Sequence, residues 1–376
     1  MPPVDRRTML GTSAAAAAGV AASAIVPNRL LNAAEGQGAS APRLRFGVVG
    51  IDHGHIYGMA DAVIRGGGEL VSFHANDPVL AAAFARRYPN VKQVSDERAV
   101  LEDRSISLVL SSIIPSERAP LGIRVMRSGK DFACDKPGIT SLAQLADVKR
   151  VQAETKRIYS IVYSERLESR ATVRAGQLVR DGAIGTVAQT VGLGPHRVHP
   201  PERPDWFWDP KRYGGIICDI GSHQFDQFLF FTGSTSAEIV AAQVRNVRYP
   251  EHPAFQDFGD ALVRGNGGTG YLRVDWFTPA GLPTWGDGRL TILGTDGYIE
   301  VRKYVDLAGR PGGDHLFIAD GKGVRYVDSR DVELPYGRQL VDDVLDRTET
   351  AMSQAHCFLV TELALRAQAS AHVVSS

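Results

Sequence analysis

Leu44-Arg45-Phe46-Gly47-Val48-Val49-Gly50-Ile51-Asp52-His53-Gly54-His55 is a short apolar run that ends on a glycine-containing turn. Such a run reads as a strand buried on both faces, the kind found inside a parallel sheet. A helical segment follows from about Ile56 to Ile64 and is closed by Gly66-Gly67-Gly68. The alternation then repeats: strand at Glu69–Ala75, helix at Pro78–Arg87 with proline at its start, and a short strand at Val91–Val94. Strand Ile106–Ile114, helix Glu117–Ser128, strand Asp131–Cys134, helix Ser141–Thr155 and strand Tyr159–Tyr163 complete the series. Strands and helices in this rhythm predict an α/β fold, a Rossmann-like doubly wound parallel sheet.

Past Arg166 the rhythm changes. A helix at Ala171–Asp181 precedes alternating segments at Val187–Gly192, Ala237–Val247, Asp260–Val263, Gly270–Trp276, Arg289–Leu293 and Tyr298–Lys303. These predict a C-terminal α+β domain built on a large, mostly antiparallel sheet with one open face. Asn266-Gly267-Gly268 and Asp296-Gly297 carry hairpin-turn chemistry, and Ser353–Ser370 reads as a helix. The expected division is 1–41 leader, 42–165 dinucleotide-binding domain and 166–376 substrate and oligomerisation domain.

The 376 residues hold 42 Lys+Arg against 42 Asp+Glu, so a nucleic-acid or polyanion partner, which calls for a basic excess, is excluded. The three cysteines, Cys134, Cys218 and Cys357, fit neither a disulfide framework nor a CxxC zinc site. Arg6-Arg7-Thr8-Met9-Leu10 is a twin-arginine pattern ahead of an uncharged Ala/Gly/Ser-rich stretch, Met9–Val26. That pattern predicts export to the periplasm. A membrane anchor is the rival reading, weakened by the low apolarity of alanine, and no stable span is expected after cleavage near residue 41. Removing residues 1–41 leaves 39 basic and 40 acidic side chains, still balanced.

A ligand of a doubly wound sheet sits over the carboxyl ends of its strands, at the first strand–helix turn. GxGxxG spacing from Gly50 would put glycines at 52 and 55, where Asp52 and His55 stand. The acid expected on a ribose hydroxyl is also displaced: Ala75 holds its place, with Asn76 and Asp77 after it, and Asp77 reads equally as a helix cap beside Pro78. His53 and His55 form a His-x-His pair of the sort that ligates metals, for which His74, His196 and His199 are the candidate partners. A role facing the ligand or starting the helix is preferred, and no metal is assigned.

Two later motifs carry chemistry. Asp135-Lys136-Pro137 follows a strand directly, which places a lysine at the carboxyl edge of the sheet; the bland alternative is a surface lysine. In Gly214-Gly215-Ile216-Ile217-Cys218-Asp219-Ile220-Gly221-Ser222-His223, a helix starting near Asp219 would put Asp219 and His223 four apart on one face. A carboxylate beside an imidazole orients it and stabilises its protonated form, as general-base catalysis on an alcohol requires.

Gly50, Asp135-Lys136-Pro137 and Gly214-Gly215…Asp219-Ile220-Gly221-Ser222-His223, in this order, resemble the glucose–fructose oxidoreductase / inositol dehydrogenase (Gfo/Idh/MocA) family. The resemblance covers most of the chain from Arg43 onward. It implies an oxidoreductase that uses NAD or NADP on a sugar, cyclitol or polyol, with Lys136, Asp219 and His223 catalytic and His223 the acid/base. It also implies a homo-oligomer joined through the second sheet. Gly50, Ile51, His53, Asn76 and Asp77 are assigned to the cofactor, together with Ser112, Pro115, Asp135 and Lys136. Arg166, Trp206, Asp219 and His223 are assigned to the substrate. Asp135 replaces the family's Glu, and Arg118 stands where the family often has a histidine. The loop His196–Trp208, rich in aromatics and arginines, reads as a substrate-side loop. An NAD-dependent glycoside hydrolase and a catalytically idle sugar-binding relative are the alternatives on the same fold.

Overall fold

The computed structural model describes residues 42–199 and 203–374, so the leader and Pro200-Pro201-Glu202 of the aromatic loop lie outside the described residues. Strands β1 (Leu44–Val49), β2 (Gly68–His74), β3 (Lys92–Gln93), β4 (Leu108–Ser111), β5 (Asp131–Asp135) and β6 (Tyr159–Val162) form one sheet in the order β3-β2-β1-β4-β5-β6. Every neighbouring pair in it is parallel. Helices on both faces bury β4, β5 and β6 completely, which is why the β4 stretch reads as an apolar run without alternation. Helix starts are set by local chemistry: Asp77 accepts from the Val79 and Leu80 amides, and Ser141 from that of Gln144. The strand order reverses between β1 and β4, and this opens a crevice above their carboxyl ends.

The second sheet has nine strands: β7 (Val187–Pro195), β8 (Ala237–Arg245), β9 (Phe258–Gly265), β10 (Thr269–Asp275), β11 (Arg289–Gly294), β12 (Gly297–Arg302), β13 (His315–Asp320), β14 (Gly323–Val327) and β15 (His372–Val373). Their order is β14-β13-β12-β11-β7-β10-β9-β8-β15. Only β7–β10 and β8–β15 pair in parallel. Burial alternates along β9, β10 and β11, so one face is covered and the other is half open. Because β7 and β10 run in the same direction, their ends at Pro195 and Asp275 share an edge of the sheet. The bridges His196–Gly286 and Arg197–Phe277 prolong that edge.

Apolar residues of both sheets join one core, to which Phe46, Phe132, Phe225 and Leu272 all belong. The helix Gln354–Ser370 packs on the first sheet, where the Gln354 side chain accepts from the Tyr159 amide (2.9 Å) and donates to its carbonyl (3.3 Å). That amide thus stands in for a further strand beside the edge strand β6.

The helical segment around His223 differs from expectation. A short helix, Ile216–Asp219, ends at Asp219, and a second, Gly221–Thr232, begins after a junction at Ile220. The entry into it needs the double glycine: Gly214 and Gly215 have φ of 96° and 86°, and a Cβ on Gly215 would lie 2.3 Å from Gln368 Cδ. Strands β13 and β14 and the helix Tyr336–Asp346 gave no reading in sequence. No helix among the described residues is long and apolar enough to cross a membrane.

Candidate active site at the seam of the two sheets

The crevice is floored by the β1 turn, the end of β5 and the first turn of the helix Pro115–Arg127. It is roofed by the β7 and β10 ends and the loop after them. His53, His55, Asp135, Lys136, His196 and Asp219 line it, with Arg203, Trp206, Trp276 and Trp285 over the top, around a cavity of about 40 Å³.

Lys136, in a cis peptide with Pro137, is 6% exposed, and its Nζ donates to Asp219 Oδ1 at 2.8 Å. Asp219 therefore gives its carboxylate to Lys136, not to His223 as the i, i+4 spacing predicted. The break at Ile220 rotates Asp219 off the helix that carries His223. His223 is buried, and its Nδ1 has no hydrogen-bond partner. Burial, followed by the charges of Lys136 and Lys303, pushes its pKa well below the usual histidine value, so the ring is neutral at pH 7.

His196 is a second neutral imidazole, and unlike the buried His223 it lines the crevice. Its Nδ1 donates to the Gly194 carbonyl (3.1 Å), which leaves Nε2 as a bare acceptor. Burial, then the charge of Lys136, lowers it to about 3. In sequence it had been placed in the substrate-side loop and among possible metal partners. Trp276 and Trp285 were missed; their signal was position, since Trp276 directly follows β10 and Trp285 lies in the connection from β10 to β11.

Asp135 is the hub of the floor. Its Oδ1 accepts from the Lys136 amide (2.8 Å) and from His55 Nδ1 (2.9 Å), and its Oδ2 lies 3.3 Å from Arg118 Nη2 and 2.9 Å from His53 Nδ1. Burial would raise this carboxyl, but the His55 and Arg118 charges outweigh it and hold the group well below the usual carboxylate range. Arg118 is 1% exposed and also donates to the carbonyls of Ile113, Lys136 and Pro137. It is a positioning residue, fastening the turn that carries Lys136.

The phosphate turn suits a dinucleotide. Gly50 has φ 76°, and a Cβ there would fall 2.5 Å from Ile113 Cβ, so only glycine allows the close approach of β1 to β4. The helix His55–Arg65 is capped by Gly54 with no side-chain bond, and nothing lies within 4 Å of a Cβ built on Gly54. The Ile56 and Tyr57 amides bond back to the His53 and Gly54 carbonyls at 3.3 Å, which leaves those of Gly54 and His55 to meet a diphosphate. Asp52, which would oppose an anion, has its pKa raised by burial and then by Glu117. Ser112 Oγ donates to the His53 carbonyl (2.8 Å) and pins the turn, beneath which Ile51 is buried; Pro115 lines the crevice. Asp77 is a helix cap, which uses its Oδ1 twice, while Asn76 meets His74 Nε2 at 3.2 Å.

Arg166 does not reach the crevice. It forms a buried two-bond pair with Asp226 (2.6 and 2.8 Å), lies over Phe230, and lines a different cavity of about 390 Å³. The assignment of Arg166 to the substrate is corrected by its location: a carboxylate 60 residues downstream claims its guanidinium.

Comparison with known proteins agrees with this architecture. The GFO/IDH/MocA C-terminal domain matches residues 172–300. A crystal structure of a protein from Erwinia carotovora atroseptica, provisionally assigned as an oxidoreductase, is 45% identical with a TM-score of 0.86, covering 88% of this chain and 100% of its own. Levoglucosan dehydrogenase of Pseudarthrobacter phenanthrenivorans is 27% identical over 200 residues, which are 52% of this chain and 50% of that protein. Inositol 2-dehydrogenase 2 of Saccharopolyspora erythraea is 24% identical over 70% of this chain and 76% of its own. The chain spans about half the length of the first curated relatives it matches. A levoglucosan dehydrogenase structure with NADH and levoglucosan bound shares the fold at 17% identity, TM-score 0.71, covering 87% and 97% of the two chains.

Proposed function

Because the chain belongs to the GFO/IDH/MocA family of NAD(P)-dependent oxidoreductases, we propose that it transfers hydride between a sugar, cyclitol or related polyol and a tightly held NAD or NADP. The observation that carries this is the Lys136–Asp219 pair, set across the seam between a dinucleotide-type crevice and a roof of tryptophans.

Gly50, the open helix start at Gly54 and the Asn76 amide would hold the cofactor, which supplies the hydride acceptor when bound. Lys136 donates a hydrogen bond to the reacting oxygen and lowers the cost of negative charge on it. Asp219 fixes the lysine's position and balances its charge. His223, kept neutral by burial, takes the hydroxyl proton, and the half-buried His196 keeps its Nε2 available as an acceptor beside the pair. Trp206 offers a face for a sugar ring, while Trp276 and Trp285, covered by the Arg203 guanidinium, exclude water.

The same proposal places the protein in the periplasm, on the strength of Arg6-Arg7 and the uncharged stretch after them. A homo-oligomer is proposed through the open face of the second sheet, where Val240, Leu262, Leu293 and Tyr298 are exposed.

The test is mass spectrometry of the small molecule released on denaturing the native protein, followed by absorbance at 340 nm with a panel of sugars and polyols. Released nicotinamide nucleotide and substrate-dependent reduction are expected. Absence of both overturns the proposal. An alcohol freed from an aryl glycoside with no net absorbance change moves the assignment to hydrolysis on the same fold.

A further inference from the structure

The two histidines of the β1 turn serve none of the steps above, yet both aim at one carboxylate. His53 Nδ1 lies 2.9 Å from Asp135 Oδ2, and His55 Nδ1 lies 2.9 Å from Asp135 Oδ1. The rings meet edge to face, with centroids 4.2 Å apart. The donor atoms of His53, His55 and Asp135 all fall within 4.8 Å of one another. The sequence had offered His74, His196 and His199 as partners for this pair. In the structure His74 bonds to the Val94 carbonyl and Asn76, His196 to Gly194, and His199 stacks on Trp285. The third donor comes instead from Asp135, 80 residues downstream.

We infer that His53, His55 and Asp135 form a binding site for a divalent first-row transition cation, open toward the Lys136–Asp219 pair. The two Nδ1 contacts are not alike. His55 is aligned for a hydrogen bond to the carboxylate, whereas His53 Nδ1, shut off from solvent, makes no aligned hydrogen bond despite its short distance. Two imidazoles and one carboxylate make a borderline set that selects ions of the iron-to-zinc range and leaves coordination positions free. The exposed His55 ring can turn inward to close the set, and its Nδ1 proton leaves as the ion enters.

The surroundings hold these donors in place. Ser112 bonds the His53 carbonyl, and Arg118 and the Lys136 amide fix both oxygens of Asp135. Outer contacts of that kind orient the ligands of metal sites. Lys136 and Asp219 line the same cavity as the three donors, and there a substrate oxygen would complete the coordination and be polarised.

This inference stands apart from the cofactor assignment, and the two can fail separately. The full-length protein, stripped with a chelator, is titrated with Zn²⁺ and with Co²⁺ and its bound metal measured after dialysis. One ion per chain is expected, with a visible cobalt absorption band. His55→Ala is expected to weaken binding about a hundredfold or more, and His74→Ala to leave it unchanged. Asp135→Asn should act like His55→Ala, but it also removes the partner of Arg118. The half-exposed His55 therefore decides the matter, provided its variant melts like the parent. Failure to bind a stoichiometric ion, or equal binding by His55→Ala, overturns the inference whether or not nicotinamide is found.

Discussion

Lys136 and Asp219 are 83 residues apart, and they meet at 2.8 Å across the seam between the parallel sheet and the short helix Ile216–Asp219 packed on the second sheet. Neither strand register nor helix spacing joins them. The contact forms because the turn after β5 and the end of the short helix Ile216–Asp219 converge on one crevice, and both groups are largely shielded from water there, at 6% and 14% exposure.

Turnover should depend on this pair as a unit. Lys136→Met and Asp219→Asn are each expected to lower kcat by about 10²–10⁴-fold, and the double variant to lose little more than the worse single one. Steady-state kinetics on the best polyol of the panel, with nucleotide binding followed by fluorescence, checks this. Independent, additive losses would mean that the pair does not act together.

His223→Ala is expected to abolish turnover while bound nicotinamide is retained on purification. The readout is nucleotide content per chain beside the initial rate. Activity within tenfold of the parent would remove His223 from the proton path.

Arg118→Met leaves the Asp135 carboxylate buried without its permanent cation and three carbonyls without their donor. The expected loss is about 3–5 kcal/mol of unfolding free energy in denaturant titration. Arg118→Lys is expected to recover only part of it, since an ammonium cannot span the fork of acceptors the guanidinium reaches.

Acid should destabilise the fold through its neutral imidazoles. His196 is lowered to about 3 by burial, and His223 is also depressed, so the unfolded chain binds protons that the folded chain refuses. Their stabilising contribution is complete above the unfolded value near pH 6.5, and it drains away as pH falls toward 3. The slope is at most about 1.4 kcal/mol per pH unit for each group. Thermal melts from pH 7.5 to 4 should show this slope reduced in His196→Asn, whose amide can still donate to the Gly194 carbonyl. An unchanged slope would show that His196 takes up a proton in the folded state.

Gly50→Ala would force a side chain into the left-handed region and within 2.5 Å of Ile113. The expected cost is about 2–5 kcal/mol, with weakened nucleotide binding, read by melting temperature and nucleotide titration.

Much of the architecture was legible because its signals are local. Buried parallel strands must be apolar on both faces, and so β1 and β4 stood out as runs. Asp77 and Ser141 marked helix starts through caps made with their own chain neighbours. The β13–β14 hairpin escaped because β14 is half-exposed to exposed throughout and has no apolar pattern to read. The residue types of the candidate site were legible too, as motifs that follow strands at the carboxyl edge.

What the sequence by itself determined was therefore the set of elements, the edge at which chemistry would gather, and a short roster of groups able to perform it. Which groups pair was decided only by the tertiary structure. Asp219 looked four residues ahead to His223 but bonds Lys136; Arg166 looked like a substrate ligand but is claimed by Asp226; Asp135 gathers His53, His55 and Arg118 from two other strand ends. Periodicity is a property of a helix or strand taken alone. The partner of a buried charge is fixed by how separate elements are rotated and stacked, because in a dry interior a charge must be met by whichever opposite group the packing brings within about 3 Å.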